Sequence, residues 1–303
     1  MLRKLFGILT GIIYVSSPIE SKEVCNVLAL SGGGSFGAVE MGVLDSITSD
    51  GRAPTKYDII TGISAGGLNT GFLSYYKDVR NALPEIKNIY SSITTQDVYR
   101  SDIVGILKEW SFYNTKPLET TLTKILSTKV GIENGPMCMI GSTNTNTSDL
   151  DVFIFHYNAT VSRKIDILMA TSAIPMAFPP RVIEDMIYVD GGVISNELLT
   201  QALGQIPCSW YNLTFVSSHL RDGPNVPVTG FFTYISALYH TIMRSFDSQL
   251  ARITNCTYPR GAIHACYPTS PELSKYSILD FDNGAVIYEL GKQSNECIEY
   301  PLC

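Results

Sequence analysis

The chain has 303 residues, of which 45% are hydrophobic and 17% are charged, with a formal net charge of −6 at pH 7. This composition is typical of a globular protein with a large core, and it excludes a disordered chain. Because the net charge is negative and no run of Lys and Arg occurs, the sequence also argues against a nucleic-acid partner.

The N-terminal segment has the composition of a secretory leader. Arg3 and Lys4 precede an apolar run over residues 5–15, and small residues follow it. The run is too short to span a bilayer comfortably, so we expect residues 1–21 to be a signal peptide and the protein to be secreted or in the endomembrane lumen. The alternative is an uncleaved segment that associates the chain with a membrane. Residues 22–303 are expected to form a single domain.

The seven cysteines are an odd number, so at least one thiol is expected to remain unpaired. Four of them lie in the last fifty residues, which would suit local disulfides in a secreted chain. Buried free thiols are the alternative. No C-x-x-C spacing occurs, so a structural zinc site is not expected.

The first part of the chain predicts two strand–turn–helix units. An apolar run over 24–31 leads into the glycine-rich stretch SGGGSFG, and apolar residues at helical spacing follow from Ala38 to Ile47. A second strand over 57–62 is followed by a helix that begins with small residues. Such units in succession predict an α/β fold with a parallel sheet covered by helices, and ligand sites in such sheets lie at the C-terminal strand ends.

The rest of the chain continues the alternation of strands and helices. The segment 231–246 is apolar nearly all round, which favours a buried helix over one that touches lipid. The predicted elements are two strands around a polar turn at 144–149, a helix over 164–174 that prolines end, a hairpin over 181–190, a strand over 211–217, a helix over 231–246, a strand over 276–281 and a helix over 283–293.

The motif Gly62-Ile63-Ser64-Ala65-Gly66 lies between the second predicted strand and its helix. A G-x-S-x-G at such a turn places the serine at the top of the sheet as a nucleophile, with glycines that let the strand and the helix pack closely. Ser64 is therefore the candidate nucleophile of a hydrolase. The alternative is a helix N-terminus that is capped by a serine.

A serine hydroxyl needs a base to take its proton, and the sequence offers one aspartate and several histidines for that role. Asp190 ends an apolar strand and is followed by two glycines that allow close approach, and removal of water would raise its basicity. His219 and His264, in predicted loops after Asp190, leave a Ser-His-Asp triad open as an alternative. His156 and His240 are expected to be packed or surface residues.

The glycine-rich stretch can supply backbone donors for a developing negative charge. Gly32, Gly33 and Gly34 follow a strand and lead into a helix, so their N–H groups are candidates for an oxyanion hole. The alternative is a phosphate cradle, because Gly32, Gly34 and Gly37 satisfy G-x-G-x-x-G. No phosphate-binding lysine accompanies them, and the acidic residue about twenty positions on, Asp50, lies in a polar turn rather than at a strand end. We therefore expect no nucleotide.

Four sequence blocks, together with Asn196, resemble the patatin-like phospholipase family over about residues 24–220. They are the GGG turn, the G-x-S-x-G, the segment ATSAIPMAFPP at 170–180 and the Asp-Gly-Gly that begins at Asp190. The resemblance implies a three-layer α/β/α sandwich that cleaves acyl esters of lipids through an acyl-serine intermediate, without a metal or other cofactor. Its partner would be a phospholipid or acylglycerol substrate at a membrane or lipid surface.

The resemblance also implies roles for individual residues. Ser64 would be the nucleophile and Asp190 the base of a catalytic dyad. Gly32, Gly33 and Gly34 would form the oxyanion hole.

One position departs from the family's pattern. Phe36 stands where the family usually has Arg or Lys, before the last glycine of the first block. The missing cation bears on headgroup preference, and it motivates an alternative function, a catalytically silent lipid-binding protein on the same fold. Because the backbone donors do not depend on that side chain, we expect an active hydrolase.

Overall fold

The structure is a computed structural model. It describes residues 22–101, 110–221 and 260–302, together with the single residues 234, 237 and 241. The expected signal peptide, most of the expected helix over 231–246 and His240 lie outside the described residues. Within the described ranges, no helix is both long and apolar enough to cross a membrane.

Strands and helices alternate along most of the described chain. The strands are β1 (Lys22–Leu30), β2 (Ile59–Ile63), β3 (Arg100–Ser101), β4 (Tyr113–Asn114), β5 (Met137–Asn144), β6 (Asp149–Ile154), β7 (Arg181–Ile183), β8 (Met186–Asp190), β9 (Cys208–Val216), β10 (Gly261–Pro268) and β11 (Asn295–Leu302). The α-helices are α1 (Gly37–Ser49), α2 (Ser64–Leu73), α3 (Leu83–Ser92), α4 (Thr95–Val98), α5 (Lys116–Leu126), α6 (Val161–Thr171), α7 (Leu199–Ala202) and α8 (Gly284–Gln293). Short 3-10 helices span Gly34–Phe36, Val79–Asn81, Gly191–Val193 and Pro271–Lys275.

Nine of the strands form one sheet in the order β11-β10-β9-β1-β2-β5-β8-β7, with β6 also paired to β5. The central strands β10, β9, β1, β2 and β5 run parallel to one another. β11 pairs antiparallel with β10 at one end of the sheet, β6 and β8 pair antiparallel with β5, and β7 pairs antiparallel with β8. The mainly parallel sheet that the sequence predicts is thereby confirmed.

The sheet is buried on both faces, as its nearly continuous apolar strands require. Along β1, Leu28 and Leu30 belong to a core cluster that includes side chains of α1, α2, α3 and α8. Val27 and Ala29 point the other way, because side chains alternate along a strand, and they belong to a second cluster that includes Leu199 of α7. Helices on both faces confirm the three-layer sandwich. The single-domain organisation of the chain stays a prediction.

The C-terminal part of the sheet differs from the expectation. The predicted strand over 276–281 is wrong, because polar side chains fold this segment into turns: Ser277 Oγ accepts from the N–H of Leu279, and Asp280 Oδ1 accepts from that of Asp282. The strands that complete this side of the sheet are β10 and β11, and polar residues interrupt the apolar pattern of β11. β10 also places His264 within a strand rather than in a loop.

The described cysteines form two disulfides and leave one free thiol. Cys266 and Cys297 form a local disulfide between β10 and β11, which agrees with the expectation for the C-terminal region. Cys25 and Cys208 join β1 to β9, two strands that are neighbours in the sheet although distant in the chain. Cys138 on β5 is a buried free thiol.

Candidate active site

Ser64 lies at a strained turn between β2 and α2. Its φ angle is 52°, a left-handed conformation that is costly for a residue with a side chain and is found at nucleophile elbows. Two glycines make this turn sterically possible. A Cβ on Gly62 would overlap the carbonyl oxygen of Gly66, and one on Gly66 would lie 2.5 Å from the carbonyl oxygen of Leu30. The structure therefore contains the elbow that the motif predicts.

Strands β2 and β8 bring Ser64 and Asp190 together because they share one edge of β5. β6 occupies the other edge, so β2 and β8 follow each other along the remaining one. β2 runs parallel to β5 and β8 antiparallel to it, and their ends meet where Ile63 pairs with Gly141 and Asp190 pairs with Ser142. Ser64 directly follows Ile63. The candidate nucleophile and base therefore lie at the meeting point of two strand ends.

The carboxylate of Asp190 is fully buried, with 0% of the residue exposed. Its Oδ1 accepts the N–H of Gly192 at 2.8 Å, and its Oδ2 has no hydrogen-bond partner among the described residues. Burial raises the pKa of Asp190 to about 7, while the nearby Ser64 hydroxyl and the Gly192 amide counteract part of that rise. A carboxylate with a pKa near neutrality is a competent general base for a serine hydroxyl.

Two of the three N–H groups of the glycine turn have no acceptor among the residues that the structure describes. The N–H of Gly32 donates to Asn196 Oδ1 at 2.8 Å and is thereby engaged. The N–H groups of Gly33 and Gly34 donate to none of the described residues. Gly34 has a φ of 59°, and a Cβ there would overlap the carbonyl oxygen of Ile278, so this position requires glycine. The turn can offer Gly33 and Gly34 to a developing oxyanion.

An apolar cavity is lined in part by Ser64. Gly34 and Ala65 also line it, together with residues of α2, α3, α5 and α6. The lining residues beyond Ser64 are mostly apolar and include Phe72, Ile89, Leu122, Leu126 and Phe178. The candidate nucleophile therefore borders a space that suits a hydrocarbon chain.

The three described histidines differ in their position relative to Ser64, and His219 lies beside the glycine turn, where a Cβ on Gly33 would be 3.5 Å from its Cε1. His264 lies in β10, three strands away from β2, which places it about 14 Å across the sheet at ~4.8 Å per strand. His219 is buried just after β9 with its ring 6.2 Å from that of Phe36. His156 is exposed after β6, as expected. No histidine is among the groups that shift the pKa of Asp190.

Phe36 is 5% exposed and belongs to the core cluster beneath the glycine turn. Its ring faces the interior beside His219 rather than the surface. A side chain at this position is therefore not presented to a headgroup in solvent.

Further buried polar side chains hold the site, and the sequence alone did not assign them a role. Glu40 of α1 is 0% exposed, and its carboxylate accepts the N–H of Ser31 at 2.6 Å and the side-chain amide of Asn69 at 2.9 Å. It thus ties the residue before the glycine turn to α2. Thr171 accepts the N–H of Ser64 at 2.9 Å. The signal in the sequence is faint, since a single acidic or hydroxyl residue in an apolar helix does not reveal its partner.

The part of the chain that the structure describes contains no group of three or more His, Cys, Asp or Glu side chains that could hold a metal ion.

Comparison with known proteins gives a consistent set of relatives. A family model described as patatin-like phospholipase matches residues 28–203. An uncharacterized protein of Acanthamoeba polyphaga mimivirus is 25% identical over 247 residues, which cover 77% of this chain and 81% of that protein. A cGAMP-activated phospholipase of Escherichia coli is 27% identical over 201 residues, covering 59% of this chain and 55% of the relative.

A mammalian relative extends the comparison. A calcium-independent phospholipase A2-gamma of Oryctolagus cuniculus is 25% identical over 226 residues, covering 67% of this chain. The match spans only 28% of that protein and about half of the bacterial one. The comparison therefore concerns the domain that carries the site and not the whole of these relatives.

Proposed function

Because the chain belongs to the patatin-like phospholipase family, we propose that it is a serine hydrolase that cleaves acyl esters of lipids with Ser64 and Asp190 as a dyad. The observation that carries the proposal is the meeting of two strand ends, where a strained serine stands beside a fully buried aspartate. Burial raises the pKa of that aspartate to about 7, which suits proton transfer at neutral pH.

The proposed reaction has two steps. Ser64 Oγ attacks the ester carbonyl carbon while Asp190 takes the hydroxyl proton, and the N–H groups of Gly33 and Gly34 donate to the oxyanion. The intermediate collapses to an acyl-serine, and Asp190 returns the proton to the departing alcohol. Water then attacks the acyl-serine with Asp190 as the base, and the fatty acid leaves with Ser64 restored.

The apolar cavity supports a lipid acyl chain as the group that is cleaved. Ser64 is part of its lining and the other lining side chains are mostly aliphatic and aromatic, so the cavity would bury a hydrocarbon chain in contact with the reacting carbonyl. The lining does not discriminate between phospholipids and acylglycerols, because both present the same acyl ester.

A ridge of exposed apolar side chains supports a lipid surface as the place of action. Trp110 is 70% exposed and Met176 is 49% exposed, and the N–H of Phe112 donates to the carbonyl oxygen of Met176 at 2.9 Å, which joins the two segments. Ile174 and Phe178, on either side of Met176 in the chain, line the cavity. We propose that this ridge, Trp110 and Met176, contacts lipid next to the cavity.

The two disulfides among the described cysteines support an oxidising compartment, in line with the proposed secretion or lumenal location. A silent lipid-binding protein on the same fold would share the cavity, so catalysis has to be tested directly. A triad with His264 is disfavoured by the position of that residue in β10, three strands away from β2, whereas His219 lies beside the glycine turn and stays the alternative base.

A fluorophosphonate probe and a short-chain nitrophenyl ester test the proposal. We expect the probe to label the wild-type protein but not Ser64→Ala, and Asp190→Asn to lower ester hydrolysis by about a thousandfold or more. Ser74→Ala, which changes another buried serine at the end of α2, is the matched control and should label normally. Equal labelling of wild type and Ser64→Ala would refute the serine mechanism.

A further inference from the structure

The end of α6 contacts both dyad residues through their backbones. Ser64 is the first residue of α2, so its N–H has no acceptor within the helix and instead donates to Thr171 Oγ1 at 2.9 Å. Two residues after Thr171, the carbonyl oxygen of Ala173 accepts the N–H of Asp190 at 2.9 Å. The segment Thr171-Ser172-Ala173 thus holds the main chain of the nucleophile and that of the base.

The hydroxyl of Thr171 is oriented by a second hydrogen bond. It donates its proton to the carbonyl oxygen of Gly141 at 2.6 Å, which leaves a lone pair directed at the N–H of Ser64. Gly141 is the β5 residue that pairs with Ile63 at the end of β2. A Cβ on Gly191, next to Asp190, would lie 2.6 Å from the same carbonyl oxygen. One carbonyl group therefore packs against Thr171 and against the glycine that follows the base.

The hydrogen bond to Ser64 matters because the elbow is strained and buried. Thr171 is 0% exposed and Ser64 is 1% exposed, so an N–H that lost its acceptor there would have no simple replacement. Without a hydrogen bond from another element, the left-handed backbone of Ser64 can relax to a less strained conformation. Such a change would move the hydroxyl, and proton transfer requires an oxygen–oxygen distance of about 2.6–3.2 Å.

We propose that Thr171 is a positioning residue, which fixes the Ser64 elbow at the distance from Asp190 that proton transfer needs. The inference rests on the proposed function, because it assigns the ATSA segment a task in that catalysis. Thr171 itself touches no reacting atom, and it acts through the backbone of Ser64.

Two substitutions of Thr171 separate its hydrogen bond from its volume. Thr171→Val keeps the shape but removes the hydroxyl, and it should lower kcat on a short-chain ester by about 10- to 100-fold with KM changed by less than about threefold. Thr171→Ser keeps the hydroxyl and should retain kcat within about threefold of wild type. Thr70→Val is the matched control, because Thr70 of α2 is also 0% exposed and its hydroxyl has no hydrogen-bond partner among the described residues.

Amide hydrogen exchange of Ser64, followed by NMR, provides a readout that does not depend on activity. Exchange should be slow in wild type, Thr171→Ser and Thr70→Val, and at least about tenfold faster in Thr171→Val. Unchanged exchange, or a Thr171→Val variant with wild-type kcat, would overturn the inference, and so would equal losses in the Ser and Val variants. If the wild-type protein hydrolyses no ester, the proposed function fails, while the exchange result still decides whether Thr171 holds the backbone of Ser64. Thr171→Ala replaces Thr171→Val if the latter does not fold.

Discussion

Burial of the Asp190 carboxylate has two effects: it raises the basicity of the group, and it lowers the stability of the folded protein when the group is ionised. Its pKa in the folded protein is raised to about 7 by burial, whereas its ordinary value is 3.8. Between these two values the folded state holds a proton that the unfolded chain has lost. Stability therefore falls as the pH rises from about 4 to 7, because the folded state binds more protons than the unfolded state.

Replacement of Asp190 by Asn should therefore stabilise the protein at high pH while it removes activity. Asn has no proton to lose, and its side-chain oxygen can still accept the N–H of Gly192. We expect Asp190→Asn to raise Tm above that of wild type by about 3 °C or more at pH 8, and by less at pH 4.5. Thermal unfolding of both proteins at the two pH values measures this. A Tm difference that does not depend on pH would show that the carboxylate is not destabilised by burial.

At the scale of elements, local patterns in the sequence were sufficient for the elbow and insufficient for the sheet around it. The Gly62–Gly66 motif predicts its own turn, because strand, glycines and helix are contiguous in the chain. The pairing of β8 with the same edge of β5 as β2 depends on residues that are remote in sequence, and no local pattern indicates it. β11 is missed for a related reason, since its polar residues become a strand only by pairing with β10.

The same limit applies to side chains around the candidate site. Ser64 and Asp190 could be singled out because their types and their neighbours carry the chemistry. Thr171 and Glu40 accept hydrogen bonds from backbone N–H groups of other elements. Because every residue except proline has such an N–H group, the sequence does not indicate which one a polar side chain will bind. Such contacts follow from packing, which a single sequence does not display.

The close approach of Gly66 to β1 makes a prediction about the elbow as an element. A Cβ on Gly66 would lie 2.5 Å from the carbonyl oxygen of Leu30, so Gly66→Ala should separate α2 from β1 and lower Tm by about 10 °C or more. Gly51→Ala is the control, because Gly51 has a φ of 82° but no atom within 4 Å of the added Cβ. It should cost only about 1 kcal/mol of backbone strain. Equal Tm losses, measured by thermal unfolding, would contradict the steric explanation.

At the scale of the whole molecule, the two tryptophans lie in different places relative to the sheet. Trp110 belongs to the exposed ridge beside the cavity, whereas Trp210 lies near the beginning of β9, away from the C-terminal strand ends where Ser64 is found. Since the chain has only these two, each can be followed alone by its fluorescence.

Vesicle binding should change the environment of Trp110 and leave that of Trp210 unchanged. With Ser64→Ala to prevent hydrolysis, Trp210→Phe leaves Trp110 as the reporter, and Trp110→Phe leaves Trp210. Addition of phosphatidylcholine–phosphatidylglycerol vesicles should shift the emission of Trp110 to the blue by several nanometres, because an interfacial indole leaves water. A shift at Trp210 but not at Trp110 would assign the lipid contact to a different surface.

The pairing register of β5 determines which sequence changes the spacing of Ser64 and Asp190 can tolerate. Adjacent residues of one strand, Gly141 and Ser142, pair with the ends of β2 and β8, so the spacing of Ser64 and Asp190 is set by the main chain. Most substitutions along these strands change side chains but leave the backbone pairing of the strands unchanged. Replacement of side chains along these strands therefore leaves the spacing of the pair intact as long as β2 and β8 keep their pairing with β5. Insertion of a single residue into β5 between Gly141 and Ser142 would be far more damaging than many replacements.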